Sequence, residues 1–163
     1  SQDSLTSAQD SRNILRIMVK DLRTASPSNN GAYAIAQSAT NTMTFFSDTD
    51  GDGLKEQIRY YIDSSKVLKK GSIKPTGSPA VYNSANEIFS TLAYNIKNAT
   101  STALFEYYDN NYAGTSSPLT QPVIATNIRL VKINLIIDAD PNKSPIPRLY
   151  TSQVNLRNLK DNL

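Results

Sequence analysis

The stretch Phe45–Asp63, FFSDTDGDGLKEQIRYYID, decides the fold. Near its start stand three carboxylates at alternate positions, Asp48, Asp50 and Asp52, followed by Gly53. This is the first half of a calcium-loop pattern, which in an EF-hand closes on a bidentate glutamate at the twelfth position. Counting from Asp48, the twelfth position is Arg59, a cation that repels the ion. The flanks do not read as helices either. Ile58, Tyr60 and Ile62 alternate with Gln57, Arg59 and Tyr61, the period of a strand. An EF-hand is all but excluded. The default is an Asp/Gly hairpin turn between two strands, since both residue types accept the positive-φ positions of tight turns. The alternative is a calcium turn of another kind, with Glu56 or backbone carbonyls completing the shell that Asp48, Asp50 and Asp52 begin.

Outward from this turn, the chain reads as one helix followed by strands. Residues 4–26 predict a helix: Leu15, Met18, Leu22 and Ala25 form an apolar stripe widened by Ile14 and Val19, while Arg12, Arg16, Lys20 and Arg23 take the other face. Pro27 lies just beyond, where a helix cannot continue. GAYAIAQ (31–37), TMTFFS (42–47), SKVLKKG (65–71) and ALFEYYD (103–109) read as strands. NEIFSTLAYNIKN (86–98) is ambiguous, because Ile88, Leu92 and Ile96 fit a short helix. The strongest strand is TNIRLVKINLIID (126–138), with Val131, Ile133, Leu135 and Ile137 on one face. RLYTSQVNLRN (148–158) closes the chain with a second alternation. The expected fold class is α+β, a long N-terminal helix packed on a meandering antiparallel sheet, in one domain.

Composition narrows the function. The 163 residues carry 17 basic and 14 acidic side chains with no basic run, so nucleic-acid binding is not expected. With no histidine and no cysteine, a Ser-His-Asp triad, a cysteine nucleophile and a thiolate metal site are ruled out. No convincing carboxylate or lysine pair offers a substitute, and an enzyme is not expected. Ser, Thr, Asn and nine tyrosines suit an extracellular β-rich surface. In the pairs Tyr60/Tyr61 and Tyr107/Tyr108, strand alternation predicts one core and one exposed member each. DADPN (138–142) reads as a turn, with a second metal loop as its alternative.

Three segments in order carry a family resemblance: the helix with ILRIMVKDLRTA (14–25), the hairpin FFSDTDGDGLKEQIRYYIDSSKVLKKG (45–71), and the terminal strand YTSQVNLRNL (150–159). The set, with ALFEYYDNN before IRLVKINLIID, resembles the soluble domains of type IV pilin-like proteins. Most similar are the J-type minor pseudopilins of type II secretion systems and related minor pilins. The resemblance implies a pilin-like fold, with residues 1–26 as the C-terminal half of the pilin helix and 27–163 as a β-rich head. It implies a leader and an apolar half-helix ahead of Ser1, processed by a prepilin peptidase. It implies a non-catalytic subunit anchored in the cytoplasmic membrane, its head exported, that initiates or caps a filament with other minor subunits and the major subunit. Leu5, Ile14, Leu15 and Met18 are then the candidate partner-helix contacts. No cofactor is required, with calcium the candidate ion. A freely secreted adhesive or sugar-binding module is the alternative.

Overall fold

The structure, a computed structural model, describes residues 8–99, 101–138, 146–156 and 159. Among these residues lie one α-helix, α1 (Ala8–Arg23), and eight strands. They are β1 (Ile35–Ser38), β2 (Thr42–Ser47), β3 (Glu56–Ile62), β4 (Leu68–Ile73), β5 (Ile88–Ala93), β6 (Phe105–Tyr108), β7 (Leu130–Ile137) and β8 (Arg148–Asn155). Strands β1 to β5 pair antiparallel in sequence order to form one sheet, and β6 to β8 form a second. No helix of the described residues is long and apolar enough to cross a membrane.

This corrects the expected architecture of a long helix packed on one antiparallel sheet. Among the described residues the protein is mostly antiparallel β in two sheets, with one short helix of 16 residues, about 24 Å long. The helix stops at Arg23 for a local reason. The Thr24 hydroxyl turns back to the carbonyls of Lys20 and Asp21 at 3.3 and 3.1 Å, competing with the helical ladder. The chain then leaves to pair with β2: Ala25 bridges Ser47, and the Ser26 amide donates to the Phe46 carbonyl at 3.0 Å. The strands divide because the chain leaves β5 and crosses to β7. There Ile96 bridges Ile137, and the Lys97 amide donates to Ile136 at 2.7 Å.

Burial follows the alternation read from the sequence. Ile58 and Tyr60 of β3, Val131, Ile133, Leu135 and Ile137 of β7, and Val154 of β8 all enter one core. Helix α1 closes it, packing chiefly on β8 with Leu15, Met18, Val19 and Leu22, while its arginines face outward. Its one buried acid, Asp21, accepts hydrogen bonds from the Tyr60 hydroxyl (2.6 Å) and the Lys70 ammonium (2.8 Å), tying the helix to β3 and β4. Segment 86–98, ambiguous in sequence, contains strand β5 on the outer edge of the larger sheet. The tyrosine pairs divide. Tyr60 is core and Tyr61 half-buried, but Tyr107 and Tyr108 are both buried. Tyr108 is on the outer side of β6, where Tyr112 packs edge-on at 4.5 Å and covers it.

Candidate metal centre

The loop between β2 and β3 gathers the four acids singled out from sequence. One carboxylate oxygen from each of Asp48, Asp50, Asp52 and Glu56 lies within 4.8 Å of the other three. Oxygens about 2.4 Å from a calcium ion stand at most about 4.8 Å apart, so the cluster has the dimensions of a calcium shell. The donor set, carboxylates only, is the hard-oxygen kind that calcium prefers.

The local sequence winds the loop. Asp48 accepts the Gly51 amide on Oδ1 at 2.9 Å and the Gly53 amide on Oδ2 at 2.8 Å. Asp52 Oδ1 accepts the Leu54 amide at 2.9 Å. Gly51 and Gly53 have φ of +75° and +88°. That left-handed conformation is what glycine permits; nothing crowds their Cβ positions, so the requirement is conformational rather than steric.

Two further features turn the winding into a site. Glu56, the first residue of β3, points inward and is only 4% exposed. Its Oε1 accepts the Thr49 amide (2.9 Å) and hydroxyl (2.6 Å), while its buried Oε2 has no hydrogen-bond partner. A buried carboxylate oxygen without a donor is costly, and a cation is one way to satisfy it. On the open side, Lys74 donates from Nζ to Asp50 Oδ2 at 2.7 Å and makes a very short contact with Asp52 Oδ2. The hydrogen bond from Lys74 is the main reason the Asp50 carboxyl sits below its usual 3.8. Asp50, then Asp52, in turn raise the Lys74 ammonium well above its usual value.

Lys74 was not visible in the local sequence, being 22 residues from Asp52. The hairpin register supplies the missing signal. Gln57 pairs with Ile73 across β3 and β4, so one step further Lys74 stands opposite Glu56. Arg59, at the position of an EF-hand's closing acid, is turned away. It forms a two-bond pair with Glu87 at 3.1 Å and stacks over Tyr61 at 4.2 Å.

The remaining sequence candidates are not brought to this loop. Ile14, Leu15 and Met18 are buried in the protein's own core, Leu15 at the margin of an open groove along α1; Ile17 is the exposed large apolar residue of the helix. Leu5 and all of DADPN but Asp138 lie outside the described residues. The chain matches no protein-family model, no curated protein and no solved structure.

Proposed function

We propose that the protein is a non-catalytic structural subunit, a minor pilin or pseudopilin that helps initiate or cap a type IV pilus or type II secretion pseudopilus. Its partners are other minor subunits and the major subunit. In this reading the domain is exported and held to the cytoplasmic membrane by a segment ahead of α1, and its β2–β3 loop binds calcium. The ordered sequence motifs suggest the family.

The observation that carries a packing role is the state of the sheet edges. Ile88 and Phe89 on edge strand β5 are 72% and 54% exposed, and Leu149 on edge strand β8 is 58% exposed. Free-standing proteins blunt such edges with charge, bulges or cover. Beside β8 an open groove of about 510 Å³ runs along α1, with Leu15 and Val19 in its lining and Arg12 and Arg16 as its charged residues. Apolar edges, one of them beside a cationic groove, suit subunits that lie side by side.

One observation favours the alternative of a sugar-binding module: Arg59 stacks on Tyr61, and Phe89 lies 5.8 Å from it on the same sheet. Aromatic faces bearing a guanidinium are common ligand platforms. A single experiment separates the two readings: the N-terminal sequence and intact mass of the native protein. The filament reading expects an N-methylated residue and about twenty apolar residues ahead of Ser1. A native chain beginning near Ser1 removes the anchor and the filament, and leaves a secreted binding domain.

A further inference from the structure

We infer that Lys74 is a built-in competitor for the cation site of Asp48, Asp50, Asp52 and Glu56, so that calcium binds by displacing the lysine's ammonium group. The inference rests on the calcium reading of this loop and adds its control element.

Two observations combine. The first is that the acids already hold a cation of their own: Lys74 Nζ bridges Asp50 Oδ2 and Asp52 Oδ2. Its side chain is 45% exposed, so it can leave the loop for water without unpacking anything. The second is that this lysine leaves the site incompletely satisfied. Glu56 Oε2, buried at the back of the loop, has no hydrogen-bond partner. An ammonium group is a monovalent point charge at the end of a tether, and here it pairs with two of the four acids. A divalent ion of six to eight ligands can take one oxygen from each, Glu56 included. Both cations draw on the Asp50 and Asp52 carboxylates, so binding of one opposes binding of the other. Occupancy of the loop is thereby linked to release of a lysine onto the surface.

Surface charge pairs of this kind are individually weak. Removing two of them should tighten calcium binding roughly two- to thirty-fold. The test is a calcium titration by calorimetry of the whole chain, its Lys74→Met variant and its Glu56→Gln variant, at fixed pH and ionic strength. The expected result is weak binding by the parent, the stated gain in Lys74→Met, and a loss of about tenfold or more in Glu56→Gln. A second measurement needs no variant: acetylation of Lys74, read by mass spectrometry, should rise at saturating calcium, with exposed Lys66 as internal standard. If Lys74→Met binds no tighter, or Lys74 labelling ignores calcium, the competitor role is overturned while the calcium loop stands. If neither parent nor Lys74→Met binds at about 10 mM calcium, both ideas fall. Should Glu56→Gln not fold, the Lys74→Met titration and the labelling decide the matter.

Discussion

At the scale of single residues, Asp21 shows how one polar choice fixes the helix on the sheet. Its carboxylate is 6% exposed, which is tolerable only because Tyr60 and Lys70 both donate to Oδ2. The two donors are not equal. Tyr60 supplies a neutral hydroxyl, and burial followed by the Asp21 charge pushes that phenol far above its ordinary range. Lys70 supplies the charge that neutralises the acid. Tyr60→Phe should therefore cost about 1–2 kcal/mol, one buried hydrogen bond. Lys70→Met should cost more, about 2–4 kcal/mol, because it strands a buried charge; the figure is kept below the fully buried range because the Lys70 side chain is 21% exposed. Urea unfolding of the two variants measures both. Equal losses, or losses below about 0.5 kcal/mol, would show that Asp21 is solvated by other means.

At the scale of elements, strand β5 marks where sequence reading fails and why. Ile88, Leu92 and Ile96 are spaced for one helix face, yet Ile88 is exposed and Ile96 is core beyond the strand's end. A strand betrays itself by alternation when one face is buried and the other is wet. Apart from Leu92 and Ala93 at its end, β5 is open on both sides, so no alternation was written into IFSTLA. The unpaired edge of β4 made the choice, setting Lys70 opposite Ser90 and Gly71 opposite Phe89. Strands β3 and β8, where more buried positions alternate with more exposed ones, were legible for the same reason; β7 was legible from Val131, Ile133, Leu135 and Ile137, although Leu130 and Asn134 on its other face are buried too. The division into two sheets was not, since it depends on the Ile96–Ile137 bridge, between segments far apart in sequence. The three aspartates of the metal loop were legible as spacing, whereas Lys74 could be found only through strand register. The exposure of β5 carries a prediction. Ile88→Lys should change stability by less than about 0.5 kcal/mol while weakening any association through this edge. Sedimentation velocity, on the protein alone and mixed with candidate partner subunits, reads the second effect. A variant that unfolds would mean Ile88 is core, and one that associates as before would place the contact elsewhere.

At the scale of the whole molecule, the acidic β2–β3 loop is expected to be peripheral to stability. It caps one end of the β2–β3 hairpin, and among its acids only Glu56 is buried. The closing bidentate acid is missing, since Arg59 stands there. Lys74 holds the open side. A dissociation constant near 1 mM is the expectation for so incomplete a shell. At about 5 mM calcium, linkage then gives roughly 1 kcal/mol, or about 2–4 °C in Tm for a chain of this size. The sign of the pH dependence follows from Asp50. Its folded carboxyl is depressed below 3.8, so its contribution is complete above that value and is lost as pH falls through the lower folded one. The calcium increment should accordingly hold at neutral pH and fade as pH falls through the lowered folded value of Asp50 and that carboxylate takes up its proton. Lys74 runs the other way: raised above 10.5, it keeps its pairs until the pH passes its folded value. Melting curves with and without calcium, from about pH 7 in steps down to about pH 2.5, test the acid limit, and calcium-free melts above about pH 10.5 test the Lys74 limit. A gain above about ten degrees that disappears in Asp50→Ala would mean a tight structural site and a loop central to the fold. A gain that persists at the acid end of that series would mean the ion is held by backbone carbonyls instead of the four acids.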